Sequence, residues 1–145
     1  MRPQVTRVVF GGLIGTLAMT ALMYVGAPMM GVRMDIAAML GSMLGGSWAA
    51  GLAMHLVSGA AVFPLAFGYA LAARLPGPPV LRGALWGTAL WLIAQTMVMP
   101  MIGAGLFSAA AGGMVAAVAS LVGHLVYGTI LGAVSAGTDL QLANA

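Results

Sequence analysis

Cysteine is absent from this chain and charge is scarce: five Lys plus Arg stand against two Asp plus Glu, together 5% of the residues. Without thiols there is no disulfide framework, no Cys-based zinc site and no thiol nucleophile. The few cations sit singly at the ends of apolar segments and form no basic patch, which excludes a nucleic-acid partner. Carboxylates are missing from every long apolar segment, so the paired acids of hydrolytic chemistry are not available there. Two histidines without carboxylates also make a poor hydrolytic metal site. No independent catalytic activity is expected.

What fills the space is apolar: 62% of 145 residues are hydrophobic, more than a water-soluble domain of this length can hide. Four stretches reach the roughly 20 residues that a helix needs to cross a hydrocarbon core. They run from about Val8 to Val25, Trp48 to Ala73, Gly83 to Met101 and Met114 to Ala136. The breaks fall at Ala27-Pro28, at Leu75-Pro76-Gly77-Pro78-Pro79 and at Met99-Pro100, where the residue before a proline is pushed out of the helical region. The expected fold is all-α, an integral membrane four-helix bundle.

The first segment, with Arg2 and Arg7 ahead of an apolar run, has the outline of a signal peptide. An internal repeat argues against that. A shift of 72 positions pairs Gly11 with Gly83, Gly15 with Gly87, Thr16 with Thr88, Pro28 with Pro100 and Gly31 with Gly103. A shift of 69 pairs Leu52, His55, Leu56, Val57 and Gly59 with Leu121, His124, Leu125, Val126 and Gly128. A shorter loop in the second copy accounts for the changed offset. Residues 1–74 read as repeat one and 75–145 as repeat two, each with two spans.

Arg2, Arg7, Arg74 and Arg82 fall on one side of the membrane and Arg33 on the other, which by the positive-inside rule puts both termini in the cytoplasm. Two parallel repeats then imply a pseudo-two-fold axis along the membrane normal, with the second and fourth helices facing across it. Asp35 caps a short amphipathic helix in the first outer loop, where Ile36, Met39, Leu40, Met43 and Leu44 follow helical spacing.

An ionisable residue within a span is a functional hypothesis by default. Gly51-His55-Gly59 and Ser120-His124-Gly128-Gly132 put small residues four positions either side of each histidine, on one helical face. A flat ring fits against such a face while an imidazole reaches its metal. His55 and His124 are therefore the candidate axial ligands of a haem b, with Gly51, Gly59, Ser120 and Gly128 as its contacts. If the two are too far apart to share one metal, each holds its own macrocycle, including a chlorophyll-type pigment. The plainer reading is that each histidine hydrogen-bonds a neighbouring helix and the small residues serve close packing.

Thirteen methionines supply a second set of candidates. Met29, Met30, Met34, Met39 and Met43 follow the first span, and Met97, Met99 and Met101 end the third. Thioethers are soft ligands that select copper(I), although methionine also serves simply as adaptable packing. Gln95 and Thr96, with Trp86 and Trp91 nearby, are candidate quinone contacts whose default roles are interhelical bonding and interfacial anchoring. Gly12, Gly15, Gly83 and Gly87 are helix-contact positions, since no strand precedes them and no Gly-Lys-Ser/Thr follows.

Three stretches resemble an uncharacterised family of small prokaryotic four-helix integral membrane proteins. They are Met34 to Gly41, Leu75 to Gly83 and His124 to Val134. The resemblance implies residence in a prokaryotic cytoplasmic membrane and the four-helix layout, and brings no catalytic residues with it. Taken together, the expected function is a small subunit of an electron-transfer or light-driven membrane complex, in contact with lipids and with other integral subunits or further copies of itself. The alternatives are a copper or small-solute binding or transport protein, and a purely structural accessory subunit.

Overall fold

A computed structural model describes residues 5–29 and 31–136. These residues form helices and no strand. Four helices are long and apolar enough to cross a membrane: α1 (Val5–Met29), α3 (Trp48–Leu71), α4 (Pro79–Met101) and α5 (Gly113–Ser135). A short α2 (Ile36–Ser42) lies in the connection between α1 and α3. Arg2, Met30 and the chain beyond residue 136 lie outside the described residues, as does the expectation about where the termini sit.

Prolines shape these helices from within rather than ending them. In three spans a π turn stands two residues ahead of a proline: Leu22–Gly26 before Pro28, Ser58–Val62 before Pro64 and Ala94–Val98 before Pro100. A proline has no N–H and its ring crowds the carbonyl four residues back. The helix absorbs both problems by widening one turn, so the amides of Ala27, Phe63 and Met99 reach five residues back to Leu22, Ser58 and Ala94. The turns in α1 and α4 are separated by the same 72 positions as the matched prolines. In α5, which has no proline, no π turn occurs. A further π turn, Phe67–Leu71, lies at the end of α3 with no proline two residues on.

The helices lie in the order α3, α1, α5, α4. Helix α5 packs along both α1 and α4, α1 packs along α3, and α2 packs along the start of α3. Among the described residues α3 and α4 make no extended contact, and α3 meets α5 only locally. The expected pairing of the second and fourth spans across a central axis is therefore replaced by a central α1–α5 pair. Glycine decides this. Gly11 and Gly15 of α1 lie against Leu131, Val134 and Tyr127 of α5, and a Cβ at Gly15 would sit 2.9 Å from the Tyr127 carbonyl oxygen.

Helix faces are sorted by size in the sense a bilayer dictates. In α1 the small residues Gly11, Gly12, Gly15 and Thr16 are buried, while Phe10, Leu13 and Leu17 face outward. Lipid is as apolar as leucine, so nothing drives large side chains inward, whereas small ones let backbones approach to van der Waals contact. The same rule holds for α2. Its protein face is Ala37 and Gly41, pressed on Gly51 of α3, while Met43 and Leu44 are exposed and Ile36, Met39 and Leu40 are half-buried.

Asp35 caps α2 as expected and does more. Its carboxylate accepts from the Ala38 amide at 2.9 Å, from the Tyr24 hydroxyl at 2.7 Å and from the Trp48 indole at 3.1 Å, tying together α1, α2 and α3. These donors, the Ala38 amide first and the Tyr24 hydroxyl next, hold the carboxyl below its ordinary range. Its folded value lies under its unfolded one of about 3.9, so the docking it provides is complete above that pH and fails as pH falls through the lower folded value. Acid titration followed by indole fluorescence is expected to show Trp48 released only below about pH 4. The step should be missing from Asp35→Asn; a step that survives in that variant would assign the transition elsewhere.

Candidate functional site

His55 and His124 come from helices that both border α1. His55 is buried on α3, and its Nε2 lies 2.9 Å from the Thr20 hydroxyl of α1. Thr20 in turn donates its one hydroxyl proton to the Thr16 carbonyl at 2.6 Å. The hydroxyl oxygen must therefore accept from His55, which fixes the Nε2–H tautomer and leaves Nδ1 with a lone pair. His124 is partly buried on α5, with Nδ1 2.8 Å from the Ser120 carbonyl one turn back. A carbonyl only accepts, so Nδ1 carries the proton and Nε2 has the lone pair. Each ring is thus oriented by a hydrogen bond and keeps one basic nitrogen.

The glycine stripes have another role than the one expected of them. A Cβ at Gly51 would overlap the Ala37 carbonyl and the Gly41 amide of α2; one at Gly59 would overlap the Thr16 hydroxyl of α1. A Cβ at Gly128 would overlap the Gly83 carbonyl of α4, and at Gly132 that of Pro79. Backbone at Gly51, Gly128 and Gly132 and the Thr16 side chain at Gly59 already occupy these faces, so a macrocycle lying flat on Gly51, Gly59 and Gly128 does not fit within one chain. Ser120 is buried and contributes its carbonyl to His124 rather than a ring contact.

Of the methionines expected to gather at the outer end, Met29, Met43, Met97 and Met101 are exposed, while Met34 and Met99 are buried. Met34 and Met39 line a cavity of about 600 Å³ with Arg33, Ala111, Gly112 and Val115. Two methionines that sequence reasoning passed over, Met19 and Met23, are buried on one face of α1. Their spacing of four and their place beside Thr16 and Thr20 were the available signal. Met19 lies against Gly123, the residue before His124, with Cγ 3.2 Å and Cε 3.7 Å from where a Cβ on that glycine would be.

Gln95 is fully buried on α4, and its Oε1 accepts from the Ser108 hydroxyl at 2.9 Å. Its Nε2 has no partner among the described residues. Thr96 is exposed and donates back to the Leu92 carbonyl. Trp91 donates to the Ala117 carbonyl of α5 at 2.8 Å and packs on Phe107 with centroids 5.7 Å apart. The indole thus ties α4 to α5, while the amide bonds the loop residue Ser108 through its oxygen only. Among the described residues no three His, Cys, Asp or Glu side chains gather as a metal site.

The chain belongs to DUF6789, a family of unknown function whose model matches residues 3–141. Neither a curated protein nor a solved structure matches it.

Proposed function

We propose that this chain is a small, non-catalytic membrane subunit that holds a redox metal group on His124, with His55 beside it. The observation that carries the proposal is the state of His124: its Nδ1–H is anchored on the Ser120 carbonyl, and no hydrogen bond from a described residue reaches Nε2. Metal-ligating imidazoles are oriented in this way, by a hydrogen-bond acceptor on the opposite nitrogen. The complementary arrangement on His55, where Thr20 takes Nε2–H and Nδ1 is left basic, supports it as a second ligand.

Metal chemistry at this position is that of electron carriage or metal carriage. No carboxylate lies within a span to serve as general base. The filled glycine stripes favour a bare ion, or a ring held from one edge, over a haem b or chlorin sandwiched between the two helices. The remaining parts of the reading are a duplicated two-span unit, cytoplasmic termini in the inner membrane of a prokaryote, and assembly with other integral subunits or a second copy. The matched π turns of α1 and α4 and the alternation of Arg7, Arg74 and Arg82 against Arg33 support the first two.

Purification in mild detergent, with absorption spectra of oxidised and reduced protein and metal analysis of the same sample, tests this. A stoichiometric metal is expected, lost in His124→Ala and weakened by about tenfold or more in His55→Ala. A Soret band with reducible α and β bands would identify haem, and a chlorin spectrum a pigment. Folded wild-type protein that is colourless and metal-free would sink the proposal.

A further inference from the structure

Among the described residues, arginine gathers at one end of the bundle with a single exception. Arg7, Arg74 and Arg82 stand at the ends of α1, α3 and α4 on one side, and Arg33 stands alone on the other, in the connection between α1 and α2. A cation there works against the charge bias that orients the spans. Its acidic neighbour in sequence does not account for it. Asp35, the one carboxylate among the described residues, is held by the Ala38 amide, the Tyr24 hydroxyl and the Trp48 indole, and forms no ion pair with Arg33.

Arg33 lines the cavity of about 600 Å³, whose wall divides by character. Arg33 and the glycine backbone at Gly31 and Gly112 make its polar part, and Met34, Met39 and Val115 its apolar part. At 1.5 Å per residue the span Val5–Met29 is about 37 Å long, more than the roughly 30 Å of a hydrocarbon core, which puts Arg33 at the level of lipid headgroups. Helix α5 starts its own span at Gly113, so the exposed Val115 enters the apolar layer at the same place. No acidic residue lies in the first turn of α5. The cavity therefore has a cation on its wall and no protein anion to balance it.

We infer that this cavity seats the phosphate of an anionic membrane lipid, with the Arg33 guanidinium on the phosphate oxygens and an acyl chain against Met39 and Val115. A guanidinium fork matches phosphate geometry and binds it through two parallel hydrogen bonds. The volume lies within the range of about 300–1,000 Å³ that small-molecule sites occupy. The apolar wall selects lipid over a free phosphate ion, because a soluble anion gains nothing from Met39 and Val115, whereas an acyl chain leaving the headgroup follows them into the hydrocarbon. No carboxylate lines the cavity to receive the ammonium of choline or ethanolamine, so the favoured headgroup carries no cation. A lipid seated there joins the α1–α2 connection to the start of α5, and this assignment does not depend on a metal at His124.

The test is native mass spectrometry of the full chain, released from mild detergent that contains equal amounts of phosphatidylglycerol and phosphatidylcholine. Wild type is expected to retain one phosphatidylglycerol, preferred over phosphatidylcholine by about tenfold. Arg33 is exposed, so Arg33→Gln should keep the wild-type thermal midpoint and lose the preference, whereas Arg74→Gln at the opposite end should keep both. Val115→Trp, which fills the apolar wall with Arg33 in place, should shed the lipid. Glycerol phosphate at the concentration of the lipid should not displace it. A preference that survives Arg33→Gln, or equal retention of the two lipids by wild type, would overturn the site. Displacement by glycerol phosphate would overturn lipid as its occupant in favour of a soluble anion.

Discussion

Replacing Gly128 by valine is expected to prevent α4 and α5 from associating, with a loss of folding free energy upward of about 3 kcal/mol. The reason is the nature of the neighbour. A Cβ on Gly128 would overlap the carbonyl oxygen of Gly83 and lie 3.0 Å from the Gly87 amide, and neither is the movable end of a side chain. Gly83, Gly87, Gly128 and Gly132 bring the two backbones together over about two turns of each helix, so relief at one point requires moving whole helices apart. Gly26→Ala is the matched control, since its Cβ would meet only Leu22 Cδ2 at an ordinary 3.6 Å. Thermal unfolding in one detergent should therefore rank wild type and Gly26→Ala together, with Gly128→Val unfolded or far lower. A Gly128→Val midpoint within a few degrees of wild type would show that α4 and α5 are not in this contact.

How far the sequence could be read follows from where its information lies. The four spans were legible because hydropathy and length decide them, and Val5–Met29 and Trp48–Leu71 depart from the expected limits by a few residues at the ends. Pro28 and Pro100 were read as stops, yet a π turn accommodates each and the helix runs one residue further. The contact face of α2, Ala37 and Gly41, was not marked by the apolar spacing of its larger residues, because in lipid small residues mark the close approach. The order α3, α1, α5, α4 was not legible, because glycines at compatible spacing occur on several helices and sequence does not say which pair meets.

The candidate site shows the same division. The two histidines stood out within the spans, and the structure puts His55 against α1 and His124 next to Gly123, which α1 touches through Met19. Their small neighbours were read as room for a ring, when Gly51 and Gly59 are room for α2 and α1. Thr20 and Met19 went unnoticed since a threonine that bonds its own helix and a methionine in an apolar run carry no mark in one dimension. Their importance arises only when α3 and α5 arrive on either side of them.

Tyr127→Phe is expected to destabilise the bundle by about 1–2 kcal/mol, and the size of that loss should depend on a proline in another helix. In α3 the Phe63 amide reaches back to Ser58, and Pro64 has no amide, so the Gly59 carbonyl is left without a helical partner. The buried Tyr127 hydroxyl of α5 fills that role, donating to Gly59 at 2.8 Å. Removing the hydroxyl strands a carbonyl where no water replaces it. Pro64→Ala restores an amide at position 64 and lets the π turn Ser58–Val62 close to an ordinary α turn, in which Phe63 bonds Gly59. The hydroxyl is then redundant. A double-mutant cycle on unfolding free energies should give Tyr127→Phe a cost at least about 0.5 kcal/mol smaller in the Pro64→Ala background than in wild type. Strict additivity would mean that the carbonyl freed by the proline is not what holds Tyr127 in place, and the coupling of α5 to α3 would then rest on packing around Phe67 and Leu131 alone.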